Sequence, residues 1–179
     1  MGRPQRHLRG DRPLRVRLAV EEDLPRLPEI ELSAVDAFLN TSIPPGPLST
    51  ATPAEGWREA LDHGTLWVVE DEQGNPIGFL GAHRDGGELH ILEFDVEAGH
   101  QGQGVGRLLL NHVIAWGRTE GLSELTLTTF RTIPWNGPFY AKMGFVEISD
   151  AEMPPHLGAT LKAERARNLE ERCAMRLAL

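Results

Sequence analysis

Cysteine is all but missing from this chain: Cys173 stands alone in 179 residues. One thiol excludes an intrachain disulfide framework and gives no paired metal ligand, so a reducing, cytoplasmic setting is expected, with no metal and a structural role for Cys173. No apolar run approaches the ~18 residues that cross a bilayer, and the basic N-terminus is not followed by an apolar stretch of the signal-peptide kind. Neither a membrane partner nor targeting is expected. Basic residues are in deficit, 18 Lys and Arg against 26 Asp and Glu, for a net charge of −8. That balance excludes nucleic acid and anionic surfaces as natural partners and favours cationic or neutral ones. The exception is local: Arg3, Arg6, Arg9, Arg12, Arg15 and Arg17 make the N-terminus basic. Gly2, Pro4, Gly10 and Pro13 interrupt it, so residues 1–13 read as a disordered, solvated arm. Tyrosine is the last scarcity, with Tyr140 the single example.

At 40% hydrophobic residues the chain has enough apolar content for one domain, placed at residues 14–179. Leu14 to Leu18 alternates like an edge strand, and Glu21-Glu22-Asp23 opens a helix with apolar positions Leu27, Ile30, Leu32, Val35 and Phe38. Ser42 to Pro47 is a loop by composition, and Pro53 to Leu61 a short helix. Thr65 to Glu70 and Pro76 to His83 flank Asp71-Glu72-Gln73-Gly74-Asn75, a strong hairpin signal. Glu88 to Val96 reads as the next strand. A central helix follows from about Val105 to Gly121, burying Val105, Leu108, Leu109, Val113 and Trp116. A strand at Leu125 to Phe130, a helix near His156 to Asn168 and a last strand at Arg172 to Leu179 complete the pattern. No repeat or low-complexity segment is present.

The most informative stretch is His100-Gln101-Gly102-Gln103-Gly104-Val105-Gly106, entered from an apolar strand and leaving into a helix. A glycine turn there aims several unpaired N–H groups at one spot, where the helix dipole adds partial positive charge; a phosphate or pyrophosphate suits it. The spacing from Gly102 is G-x-G-x-G rather than the dinucleotide G-x-G-x-x-G, and no suitable first strand stands near the N-terminus. Gly106 is followed by Arg107-Leu108, not Lys-Ser/Thr, which excludes a nucleoside-triphosphatase loop and its Mg²⁺. Downstream, Asn136 is placed to cap a short helix carrying Phe139, Tyr140 and Met143, which Gly144 ends before Phe145 to Ile148 resumes as a strand.

These two motifs, in this order and at this separation, resemble the GNAT superfamily of acetyl-CoA-dependent N-acetyltransferases. Gln101 to Gly106 is similar to the family's Q/R-x-x-G-x-G/A pyrophosphate loop, and Asn136 to Phe145 to its asparagine, tyrosine-bearing helix and Gly-Phe strand entry. The resemblance covers about Leu89 to Ile148; ahead of Thr65 only the order of elements matches. It implies an α/β (α+β) fold, a mixed, mostly antiparallel sheet of six to seven strands flanked by helices. The implied reaction is direct acetyl transfer to a primary amine of a small molecule or peptide in a ternary complex, and a homodimer is compatible with it. A non-catalytic acyl-CoA sensor on the same fold is the alternative.

The resemblance also assigns residues. The coenzyme would contact Phe94, Asp95 and Val96 on the strand, Gln101, Gly102, Gln103, Gly104, Val105, Gly106 and Arg107 in the loop and helix start, and Asn136 and Phe139 beyond. Acyl transfer needs an uncharged nucleophile, a donor for developing oxyanion charge and a proton for the leaving thiolate. The N–H of Val96 or its neighbour, exposed by a strand bulge, is the implied oxyanion donor and Tyr140 the implied acid. Glu93 and His90 are rival bases, with Glu93 slightly preferred. Strand alternation puts them on opposite faces unless the bulge intervenes. His90 titrates usefully unaided, whereas Glu93 needs burial or a like charge such as Asp95 to raise it.

Overall fold

A computed structural model describes residues 14–39, 41, 43, 48 and 50–179. The basic arm 1–13 and most of the Ser42–Pro47 loop lie outside the described residues. Seven strands form one sheet: β1 (Arg15–Leu18), β2 (Leu66–Glu70), β3 (Pro76–Asp85), β4 (Glu88–Val96), β5 (Glu124–Phe130), β6 (Val146–Glu147) and β7 (Arg172–Ala178), in the spatial order β1-β2-β3-β4-β5-β7-β6. Every neighbouring pair is antiparallel except β4 with β5. The helices are α1 (Leu27–Ala34), α2 (Arg58–Asp62), α3 (Val105–Thr119), α4 (Gly137–Lys142) and α5 (Pro155–Ala166).

The sheet is covered on both faces. On one, α3 lays Val105, Leu109, Leu110, Val113 and Ile114 against Trp67, Leu80, Leu89, Ile91, Leu125 and Leu127, all buried. The apolar stripe of α3 is rotated from the sequence expectation: Leu108 is 40% exposed, and Leu110 takes the inward place. Trp116 is only partly buried, yet its ring meets Trp67 at 4.9 Å, edge to face. On the other face, Leu24, Leu27 and Ile30 pack with Trp57, Leu66, Val68 and Phe79.

Pro25 and Pro28 divide the first helical segment. A 3₁₀ turn at Glu21–Arg26 precedes α1, with Pro28 in its first turn, where a missing N–H costs nothing. Leu32, expected inward, is 47% exposed. The start of this segment is tied to the sheet edge by Arg17. Its guanidinium donates to Asp23 at 2.6 and 3.0 Å and to Glu70 at 2.7 Å, while Asp23 also accepts the Val20 N–H at 2.8 Å. This anchor fixes where α1 crosses β4, and with it one wall of the site.

Candidate active site

The site grows from the place where β4 and β5 part. These strands pair only across Glu88–Glu124, Leu89–Leu125 and His90–Thr126. On its other side β4 stays paired with β3, but the register slips: Ala82 opposes Ile91 and Gly81 opposes Glu93, leaving Leu92 as the extra residue of a bulge, 53% exposed. The bulge resets the alternation. Glu93 and Asp95 oppose Gly81 and Phe79 on the α1 face, the face that His90 also takes. Gly81 admits no side chain, because a Cβ would lie 2.2 Å from the Trp57 ring.

The backbone of β4 beyond the bulge is half-used. The Glu97 N–H donates to the Ile77 carbonyl at 2.9 Å, and Val96 opposes Gly78. By antiparallel alternation, Phe94 and Val96 therefore turn their N–H and C=O groups away from β3, into the gap that β5 vacates, where the Phe94 N–H donates to the Glu93 carboxylate at 3.4 Å. The side chain of Gln101 uses one of these groups, donating to the Val96 carbonyl at 2.8 Å and fastening the glycine turn to β4.

In that turn Gly102 and Gly104 adopt φ of +72° and +85°, with open space where a Cβ would stand. No N–H from Gly102 through Arg107 has an acceptor among the described residues; the helix ladder begins with the Leu108 N–H on the Gly104 carbonyl at 3.0 Å. Those amides sit at the N-terminus of the 15-residue α3, where the dipole reinforces them. The turn opens into a cavity of about 430 Å³, walled by Phe94, Asp95 and Val96, by Gln101, Gly102, Gly104, Gly106 and Arg107, and by Asn136, Phe139 and Tyr140. Ala34, Ala37 and Phe38 from the end of α1 and its 3₁₀ extension complete it, with Trp135 beside Phe38 at 5.7 Å between ring centroids.

Most residues expected at a coenzyme site thus meet in one cavity. Gln103 and Val105 do not: the Gln103 amide donates to the Gly99 carbonyl at 3.0 Å, and Val105 points into the core at 2% exposure. Asn136 differs from expectation in another way. It precedes α4, but its side chain caps nothing, and its Oδ1 is buried without a hydrogen-bond partner. An orphaned buried acceptor costs about 1–3 kcal/mol, and here it lies in the cavity wall, where a donor on a bound molecule would satisfy it.

Tyr140 and Asp95 line the cavity, and Glu93 and Glu31 stand behind them without lining it. Tyr140 is 7% exposed, its ring packed against Phe139 and Phe145, and its hydroxyl makes no hydrogen bond among the described residues. Burial, then the charges of Glu93 and Asp95, push its ionisation up, so it stays a neutral donor. Burial pushes Glu93 up to about 7, helped by the nearby Glu31 carboxylate. Asp95, within hydrogen-bonding reach of Glu93, is raised well above the usual range by burial and by Glu93 itself. Glu31 is raised by burial while its Oε2 accepts the Thr52 N–H at 2.9 Å.

His90 shares the face of Glu93 but not its surroundings. Its Nδ1 lies 2.9 Å from the Thr126 hydroxyl, its ring stands edge-on to His156, and Thr126 and His156 both contact Glu88. Burial lowers its basicity, and the charges that act on it are those of Glu88, His156, Glu164 and His83. Sequence reasoning missed Glu31, Trp135 and the small residues at the end of α1. An exposed-looking glutamate on an irregular helix carries no local signal of the strand that it faces.

Residues 33–145, well over half of the chain, match the family model for the acetyltransferase (GNAT) family. The chain belongs to the GNAT family. As such it is an acyltransferase with acetyl-CoA as cosubstrate, a group that the open glycine turn and the unpartnered Asn136 Oδ1 fit. The fold of this GNAT chain is similar to that of PaiA N-acetyltransferase from Thermoplasma acidophilum, solved with coenzyme A, at a TM-score of 0.70 and 14% identity over 94% of this chain and 100% of that one. It is similar, too, to a Mycobacterium tuberculosis protein solved with CoA (TM-score 0.67, 20% identity, 92% and 98% covered). A third likeness is to N-acetylglutamate synthase from Neisseria gonorrhoeae, with TM-score 0.67 and 20% identity over 95% of this chain; there the chain spans 36% of the other protein's length.

Proposed function

We propose that this GNAT protein is an N-acetyltransferase that moves the acetyl group of acetyl-CoA directly to a primary amine in a ternary complex. Acetyl-CoA supplies the activated carbonyl and the thiolate leaving group. The amides of Gly102 to Arg107 bind its pyrophosphate, Arg107 adds charge, and Asn136 holds the pantetheine arm through the free Oδ1. The N–H group of Val96, turned into the strand gap, hydrogen-bonds the acyl carbonyl as its oxygen gains charge.

Glu93 takes the proton of the incoming ammonium. A general base works best when its pKa lies near the operating pH, and burial beside Glu31 brings Glu93 to about 7. Tyr140 gives its phenolic proton to the departing thiolate. The observation that carries this reading is that a neutral, hydrogen-bond-free Tyr140 shares the wall of one cavity with Asp95, the carboxyl neighbour of Glu93, and with the glycine turn whose amides are unpaired.

Thiol release from acetyl-CoA across a panel of amines tests it. Amine-dependent release supports an enzyme. Calorimetric coenzyme A binding with no release above background for any amine would instead support an acyl-CoA sensor.

A further inference from the structure

The cavity is walled from both faces of the sheet. Phe94, Val96, Phe139 and Tyr140 pack with the core around α3, so the glycine turn and the tyrosine belong to the α3 face. From the α1 face come Ala34, Ala37 and Phe38, at the end of α1 and in its 3₁₀ extension. The two sets meet at the gap where β4 and β5 part. The alanines keep the α1 wall low, and Phe38 is the one bulky side chain that this segment adds to the cavity lining.

Phe38 is braced where it stands. Its ring lies 5.7 Å between centroids from Phe130 and 5.7 Å from Trp135. Phe130 ends β5 beyond its last pair with β4, His90–Thr126. Because Leu125 and Leu127 turn inward to α3, strand alternation puts Phe130 on the α1 face. There it is buried against Ile133 and Leu169, with Ile43 and Leu48 packed on the same cluster. The Arg172 guanidinium covers its ring at 4.6 Å and is itself held by Glu164 at 2.7 and 3.0 Å. Phe130 is therefore a fixed support, and the space behind Phe38 is already filled with apolar side chains. Such a wall tolerates added volume poorly; one methylene too many or too few in an apolar pocket changes binding by about tenfold or more.

We infer that Phe38 sets the length of the acyl group. Its ring, braced by Phe130 and Trp135, closes the gap on the α1 face opposite Tyr140, leaving room there for a methyl and not for a longer chain. This rests on the coenzyme placement in the reading above and is independent of the acceptor amine.

The test is calorimetry with coenzyme A, acetyl-CoA, propionyl-CoA and butyryl-CoA on the wild type, on Phe38→Ala and Phe38→Leu, and on Leu39→Ala, a change at the exposed neighbour. The wild type and Leu39→Ala should bind butyryl-CoA about tenfold or more weakly than acetyl-CoA. Phe38→Ala should bring the two within about threefold, while its affinity for coenzyme A itself moves by less than that. Phe38→Leu, which keeps more of the apolar contact with Phe130, should admit propionyl-CoA and still reject butyryl-CoA; it decides the matter should Phe38→Ala lose its native circular dichroism. Equal binding of acetyl-CoA and butyryl-CoA by the wild type, or a wild-type ratio in the folded Phe38 variants, would overturn the inference. So would a parallel loss of affinity for coenzyme A and every acyl-CoA in those variants, since the ring would then hold the pantetheine arm. None of these outcomes touches the transfer reaction. Conversely, length discrimination that depends on Phe38 in a protein that acetylates no amine would uphold the inference and sink the transfer reading, and failure to bind coenzyme A or any acyl-CoA would overturn both.

Discussion

Glu93 and Asp95 stand on one face of β4, just past the Leu92 bulge, close enough for their carboxyl groups to share a proton. A bulge of one residue thereby sets the acid–base chemistry of the site, because it turns both carboxyls toward α1 and Glu31. The rate at saturating substrates should rise through an acidic limb centred near pH 7, as Glu93 becomes able to accept a proton. Glu93→Gln should lower kcat by about 10²-fold or more and abolish that limb, while His90→Ala should keep it. A pH–rate profile with its limb intact in Glu93→Gln would remove Glu93 from the mechanism.

The same shift has a stability consequence of definite sign. A carboxyl whose value rises from 4.5 unfolded to about 7 folded binds more protons in the native state across that window, so its contribution to stability falls as pH rises through it. Chemical denaturation between pH 4.5 and 7 should show Glu93→Gln gaining on the wild type steadily toward pH 7. A constant difference across the window would contradict the raised value.

Tyr140→Phe keeps the ring packed against Phe139 and Phe145 and deletes only the hydroxyl that carries the proton. Acetyl-CoA affinity and thermal stability should hardly move, while kcat falls by about 10²-fold, the low end for a positioned acid, since a thiolate already leaves fairly well. A fall of less than about threefold with binding intact would make Tyr140 a wall rather than an acid.

Gly104→Val places a branched side chain at φ +85°, a strain of about 1–2 kcal/mol that the core absorbs, and fills the space that a pyrophosphate must approach. Acetyl-CoA binding by calorimetry should drop sharply while circular dichroism stays native. Unchanged affinity would disqualify this turn as the pyrophosphate site.

Asn136→Ala removes a buried acceptor that has no partner in the free protein. The unliganded variant should be as stable as the wild type or more stable, and acetyl-CoA affinity should fall about tenfold. Loss of stability without loss of affinity would mean that Oδ1 serves the fold instead.

Much of this was legible in sequence, for identifiable reasons. The hairpin around Asp71 to Asn75, the glycine turn and the alternation of Glu88 to Val96 are local signals, and each element stands where those signals put it. The phase of α3 was harder, because a continuous Leu108-Leu109-Leu110 run fits several stripes, and the sheet surface, not the helix, decides that Leu110 faces in. The position of the bulge has no local mark at all: Leu92 is an ordinary strand residue, and its displacement follows from how β3 and β4 fit around Trp57 and Gly81. Glu31 was invisible for the same reason. Its chemistry comes from what lies across the gap between α1 and β4, a distance that no spacing along the chain records.

The parting of β4 from β5 also gives the protein a built-in reporter. The Val96 amide faces open space in a strand zipped on its other edge, so in deuterated water it should exchange far faster than those of Asp95 and Glu97 beside it. A bound acyl carbonyl would slow it without moving the strand. Occupancy of the catalytic gap could therefore be followed at a single amide, before any acceptor is known.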